Sequence, residues 1–188
     1  LLRVPEYQGR LRIGSFSAAS NVTGMRSPTR EIARLLHAND AYACFDYAAS
    51  APYVEIDMNP APDAEVGDAS YDAVFLSPHK FLGGPGSSGV LVFNERLYSR
   101  DLPPSVAGGG TVDYVSPLDQ DFIADIEERE KAGTPGVLQT MKAALAMDLK
   151  QKVGVERIEA REQELLRRAM QQWSANERIE ILGNLDPR

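Results

Sequence analysis

The stretch "YDAVFLSPHKFLGGPGSSGVLVF", residues 71–93, decides how this chain is read. An apolar, strand-like run ends in Ser77-Pro78-His79-Lys80, a glycine-rich turn follows, and a second apolar run, "GVLVF", begins at Gly89. A lysine where a buried strand stops loses hydration, which lowers its pKa and frees a neutral amine to act as a nucleophile. The plainer account is a solvated lysine on a surface turn. The turn itself, Gly84 to Gly89, spells G-x-G-x-x-G, but it precedes a strand, whereas a dinucleotide site needs that pattern to open a helix. Val90 and Leu91 stand where a phosphate-binding P-loop needs Lys and Ser or Thr. The glycines therefore predict a tight turn that lets backbone pass close to something bulky.

Outward from this stretch, short apolar runs alternate with amphipathic ones. "LRIGSF" (11–16) and "AYACFDYAA" (41–49) read as strands, and Asp46 falls near the end of the second. Between them "SPTREIARLLHAND" reads as a helix, with Ser27 as its cap, Pro28 in its first position, and Ile32, Leu35 and Leu36 on one apolar face. "NPAPDAEVGDA" (59–69) is expected to be a surface insertion. "GGGTVDYVSPLDQDFIADIEERE" (108–130) reads as irregular with short strands, 136–152 and 155–174 as helices, and "RIEIL" (178–182) as a closing strand. Strands alternating with helices predict an α/β fold, three layers deep, around a mostly parallel sheet. In open sheets of this kind, binding residues collect in loops at the carboxyl ends of strands, here 17–24, 46–50 and 77–89.

Composition narrows the function classes. With 20 Lys and Arg against 27 Asp and Glu, the 188 residues carry a net charge of −7, which argues against a nucleic-acid partner. No apolar run approaches the roughly 20 residues that a membrane span requires. One cysteine, Cys44, forbids an internal disulfide and fits a reducing, cytoplasmic setting. Two histidines and one cysteine make a zinc site an unpromising reading, so no metal is expected. Cys44, mid-strand among apolar neighbours, reads as a small buried hydrophobe. His37, at the end of the first helix, reads as a favourable C-terminal charge or a surface residue.

"SNVTG" (20–24), "FDYAA" (45–49), "SPHK" (77–80) followed by "GGPGSSGVL", "GGG" (108–110) and "AGTPG" (132–136) occur in the order seen in fold-type I pyridoxal-phosphate enzymes. Over residues 11–155 the chain resembles the class V aminotransferase and cysteine desulfurase family. The resemblance implies pyridoxal 5'-phosphate as cofactor and Lys80 as the Schiff-base lysine that also shuttles the substrate's α-proton. It further implies Asp46 at the pyridine nitrogen and Ala48 against the ring face. Ser77 and His79 match positions that bond the phosphate, and Asn21 a position beside the cofactor and the substrate carboxylate. Thr134 matches a threonine that reaches the phosphate of a neighbouring subunit, so a homodimer is implied.

The chain departs from that pattern in two ways. Ala49 stands where desulfurases of this group carry a glutamine that donates to the cofactor's phenolic oxygen. Family members are also about twice as long, so residues 1–175 are expected to be part of the cofactor-binding large domain and 176–188 the start of a small domain, with the N-terminal segment and most of the small domain missing. The activity expected is amino-group transfer at the amino-bearing carbon of an amino acid. Carbon–sulfur cleavage of the desulfurase type is the alternative, and a non-catalytic interaction domain the second.

Overall fold

Three apolar runs of four or five residues become neighbouring strands in the computed structural model, which describes residues 2–61 and 66–185. Strands β1 (Ile13–Ser17), β2 (Tyr42–Asp46) and β3 (Ala73–Leu76) are parallel, in that spatial order. Strand β4 (Val90–Phe93) returns antiparallel beside β3, because the turn at 83–89 is too short for a crossover. The result is an α/β fold with a mostly parallel sheet. Helix α1 (Thr29–His37) joins β1 to β2, a two-stranded hairpin of β5 (Val112–Val115) and β6 (Gln120–Phe122) follows the sheet, and the short α2 (Ile126–Arg129) leads to two long helices, α3 (Val137–Val153) and α4 (Val155–Trp173).

The core lies on one face of the sheet. Phe45 and Val74, adjacent in register, are fully buried with Ala33 and Leu36 of α1 and Ala146 of α3. Burying a Phe or Val side chain contributes about 1.5–3 kcal/mol. Gly14 lets α1 press flat on β1: a Cβ there would stand 2.6 Å from both Leu36 methyls. Ile13, Phe75 and Leu91, which share the opposite face by strand alternation, are exposed in this chain.

A buried charge ties these elements together. The fully buried Asp72 carboxylate accepts the Ala43 N–H at 2.7 Å, faces His37 Nε2 at 2.9 Å and forms an ion pair with the Arg96 guanidinium. Its backbone N–H donates to Ala43 O (2.8 Å) and its carbonyl accepts from Asn94 N (2.7 Å). His37 Nδ1 lies 3.2 Å from the Asp68 carboxylate, whose pKa is held below 3.8 mainly by a hydrogen bond from Ser70, with His37 adding to the effect.

Several expectations are corrected here. His37 sits in the last turn of α1, as expected, but it is half-buried and paired with Asp72 rather than a surface residue. Ser27 does not cap α1; its hydroxyl donates to Ser17 O at 2.7 Å, and the helix begins one residue after Pro28. Residues 47–49 turn rather than extend β2, and 178–182 form no strand, because no strand lies alongside to pair with them among the described residues. Residues 62–65 of the expected insertion and 186–188 of the expected small-domain start lie outside the described residues. No helix among the described residues is long and apolar enough to cross a membrane.

Replacing Asp72 with Ala leaves the Ala43 N–H unpaired and His37 and Arg96 without their shared carboxylate. The loss should be about 3 kcal/mol of folding stability, the lower end for breaking a buried pair because Arg96 is partly solvated, read as a shifted midpoint in urea.

Candidate functional site

The parallel register brings Ser17, Asp46 and Phe75 level, so β1, β2 and β3 release their chains side by side. The ladder continues one residue further: Ala18 N donates to Asp46 O (2.8 Å) and Tyr47 N to Phe75 O (3.0 Å). Loops 18–26, 47–54 and 77–89 therefore gather at one sheet edge, where α/β folds bind ligands.

At the second strand end, alternation sends neighbouring side chains opposite ways. Asp46 is exposed, and its Oδ1 accepts the Ala48 N–H at 2.7 Å, which holds the carboxylate against its own loop. Tyr47 turns inward, where its hydroxyl lies 3.2 Å from Tyr71 and 3.4 Å from Thr29, while Thr29 and Tyr71 are 2.7 Å apart. Burial first, with Tyr71 adding, pushes the Tyr47 phenol up to about 12, so it stays a protonated donor at neutral pH. Ala48 and Ala49 are half-buried, and Ala49 offers no side-chain donor.

At the third strand end, Pro78–Lys80 forms one 3-10 turn, closed by Lys80 N to Ser77 O and Phe81 N to Pro78 O, both 3.0 Å. Pro78 and Phe81 are buried and anchor the turn, while His79 and Lys80 are exposed. The desolvation expected for Lys80 from its strand-end position does not occur. Among the described residues, the side chains of Ser77, His79 and Lys80 make no hydrogen bond or ion pair. The glycine turn folds back beneath them: a Cβ on Gly84 would stand 1.9 Å from Pro78 O, so only glycine fits.

The remaining expected residues are placed differently. Asn21 is exposed at the tip of the β1 loop, which the Ser20 hydroxyl closes by accepting Val22 N and Thr23 N, each at 3.2 Å. Arg26 ties this loop to α4 through Glu159 at 2.9 Å. Thr134 is exposed in the loop before α3, with no hydrogen bond to the others. Cys44 is buried in β2, and burial, then the Asp72 charge, pushes its thiol pKa up.

Sequence reasoning missed Lys150 of α3. Its ammonium donates to Ala51 O (2.6 Å) and Val54 O (2.5 Å), beneath the loop that begins at Asp46. Burial lowers its pKa. The only sequence signal was a lysine on the half-apolar face of a helix, which usually marks solvent.

The aminotransferase class-V family model matches residues 7–188. A Mycobacterium leprae protein named "Probable cysteine desulfurase 2" is 30% identical over 174 residues, 93% of this chain and 39% of that protein. A Staphylococcus aureus protein named "Probable cysteine desulfurase" is 33% identical over 174 residues, 93% of this chain and 40% of that protein. The chain thus spans about two fifths of the length of the curated relatives it matches. The structure of a cysteine desulfurase from Thermococcus onnurineus NA1 superposes with a TM-score of 0.74 at 25% identity, over 87% of this chain and 38% of that one. The Escherichia coli cysteine desulfurase CsdA shares the fold, with a TM-score of 0.71 at 23% identity, over 89% of this chain and 39% of that one.

A thiol buried and held protonated in this way is a poor nucleophile. Cys44 should stay unmodified by a thiol reagent in the native chain and react at once in denaturant; rapid native labelling would contradict the burial.

Proposed function

The chain belongs to the aminotransferase class-V family, and on that premise we propose that it carries the cofactor-binding core of a pyridoxal-phosphate enzyme that cleaves the carbon–sulfur bond of cysteine. One observation supports this most: Asp46 ends β2 level with Phe75 near the end of β3, so the turn that carries the unpaired Ser77, His79 and Lys80 side chains follows the neighbouring parallel strand. That donor set fits the group. A carboxylate suits a pyridinium nitrogen, hydroxyl and imidazole donors suit a phosphate dianion, and a free primary amine suits an aldehyde. A small side chain such as Ala48 suits a flat ring.

In this reading the Asp46 carboxylate holds the proton on the pyridine nitrogen, and Ala48 orients the ring. Ser77 and His79 bind the phosphate, with Thr134 reaching the phosphate site of a second subunit in a homodimer. Asn21 orients the substrate carboxylate, and Lys80 Nζ takes the proton from the substrate's Cα. When bound, pyridoxal phosphate supplies the sink for the electron pair left at that carbon. The thiolate that receives sulfur is not Cys44, which is buried.

Amino-group transfer, the activity expected from the sequence, remains the second reading. Ala49 favours it, since it cannot give the hydrogen bond that desulfurases of this group supply at the cofactor's phenolic oxygen. The similarity to proteins named as cysteine desulfurases supports carbon–sulfur cleavage.

Pyridoxal phosphate added to the chain should give a visible absorption band, and borohydride reduction should leave the pyridoxyl group on Lys80. Lys80→Ala should show neither; equal labelling of that variant would remove Lys80 from its role. In the intact protein that bears this chain, L-cysteine with dithiothreitol should release sulfide and alanine in equal amounts. Amino transfer to pyruvate without sulfide would select the second reading.

A further inference from the structure

We infer that Lys150 is a positioning residue for the proposed site, coupling the loop that carries Asp46 to the turn that carries Lys80. The inference rests on the cofactor reading above and assigns a role to helix α3. Lys150 Nζ donates to two carbonyls, Ala51 O and Val54 O, at the far end of the loop that starts at Asp46. The same ammonium lies 5.7 Å from the centre of the Phe81 ring. Phe81 follows Lys80 directly, is buried, and closes the turn in both directions, through its N–H to Pro78 O (3.0 Å) and its carbonyl from Gly84 N (2.9 Å). One cation thus holds both loops.

Its neighbours on α3 show that this placement is specific. Lys152 remains in solvent, paired with Asp148 at 2.6 Å. Lys142, itself exposed, donates to Pro85 O at 3.1 Å, while Gln139 O accepts the Ser88 N–H at 3.2 Å. Lys142 and Lys150 are separated by about 12 Å of helix, the rise over eight residues. Helix α3 therefore brackets the two site loops, Lys142 at the glycine turn and Lys150 at the junction between the Asp46 loop and Phe81. An ammonium drawn out of water is retained only where acceptors replace its hydration, and two backbone carbonyls and an aromatic face do so here.

The test uses Lys150→Met, which keeps the apolar stem and removes the donor, and Lys150→Arg, which keeps charge and donors. The amides of Ala51, Tyr53 and Val54 in one loop, and of Phe81 and Gly84 in the other, are hydrogen-bonded and report local opening by hydrogen exchange. In Lys150→Met both sets should exchange about tenfold faster, the worth of one charge-assisted hydrogen bond, with α1 unchanged. The dissociation constant for pyridoxal phosphate should rise by a similar factor, and Lys150→Arg should restore both. Unchanged exchange in either loop, or unchanged cofactor affinity beside loosened loops, would overturn the coupling role. Loops that loosen together in a chain that never takes up cofactor at Lys80 would keep the brace and reject the cofactor reading instead.

Discussion

A carboxylate sealed from water at the base of β3 is the constraint on which the rest of the sheet depends. Removing Asp72 from solvent costs several kcal/mol before any partner is counted. The cost is offset because the Ala43 N–H, His37 and Arg96 all meet it. Those partners belong to β2, to the end of α1 and to the turn after β4. Only one register of β3 satisfies all three at once, and a slip of one residue would also turn Val74 out of the core. Four strand residues later the chain reaches Ser77, so the buried charge at one end of β3 determines where the lysine turn begins at the other.

Two lysines exchange the roles their sequence positions suggest. Lys80, at the end of a buried strand, is exposed, because Pro78 and Phe81 take the interior positions on either side of it. Lys150, on a helix with no strongly apolar face, is the one half-buried. The exposed amine is free to meet a ligand, whereas the desolvated one is committed to backbone carbonyls. Reactivity and support are thereby divided between residues seventy positions apart in sequence.

What the sequence made legible is what short-range pattern encodes. Short apolar runs located β1 to β4, the second read three residues too far at 47–49, apolar spacing located α3 and α4 to within a residue, and strand ends located the loops that carry Asp46 and Lys80. Contacts between distant segments were hidden. Nothing near Asp72 marks it as a hub, because its partners lie 35 residues back at His37 and 24 ahead at Arg96. Lys150 meets its acceptors across 96 and 99 residues. Ser27 had the residue type and position of a helix cap, yet Ser17 O lay closer to its hydroxyl than the helix start did. The alternating stretch at 178–182 had a strand pattern, but a strand needs a neighbouring edge, and pattern cannot supply one.

The loops at the sheet edge are held by interactions of unequal kind, and on the proposed reading the inequality is useful. The cofactor side, 47–54 and 77–89, is bound to α3 through backbone carbonyls that accept from the half-buried Lys150 and the exposed Lys142. The substrate side, the loop of Asn21, is bound to α4 through Arg26 and Glu159, both substantially exposed. Such a pair is worth at most about 1 kcal/mol and weakens as salt is added. Glu162, one turn along α4, has its pKa raised mainly by burial, with Arg26 acting in the opposite direction. A cofactor held through many turnovers needs the firm side; a substrate that must enter and leave needs the side that opens. The fold supplies that asymmetry by bracing one set of loops with a half-buried lysine on backbone carbonyls and the other with a solvated pair.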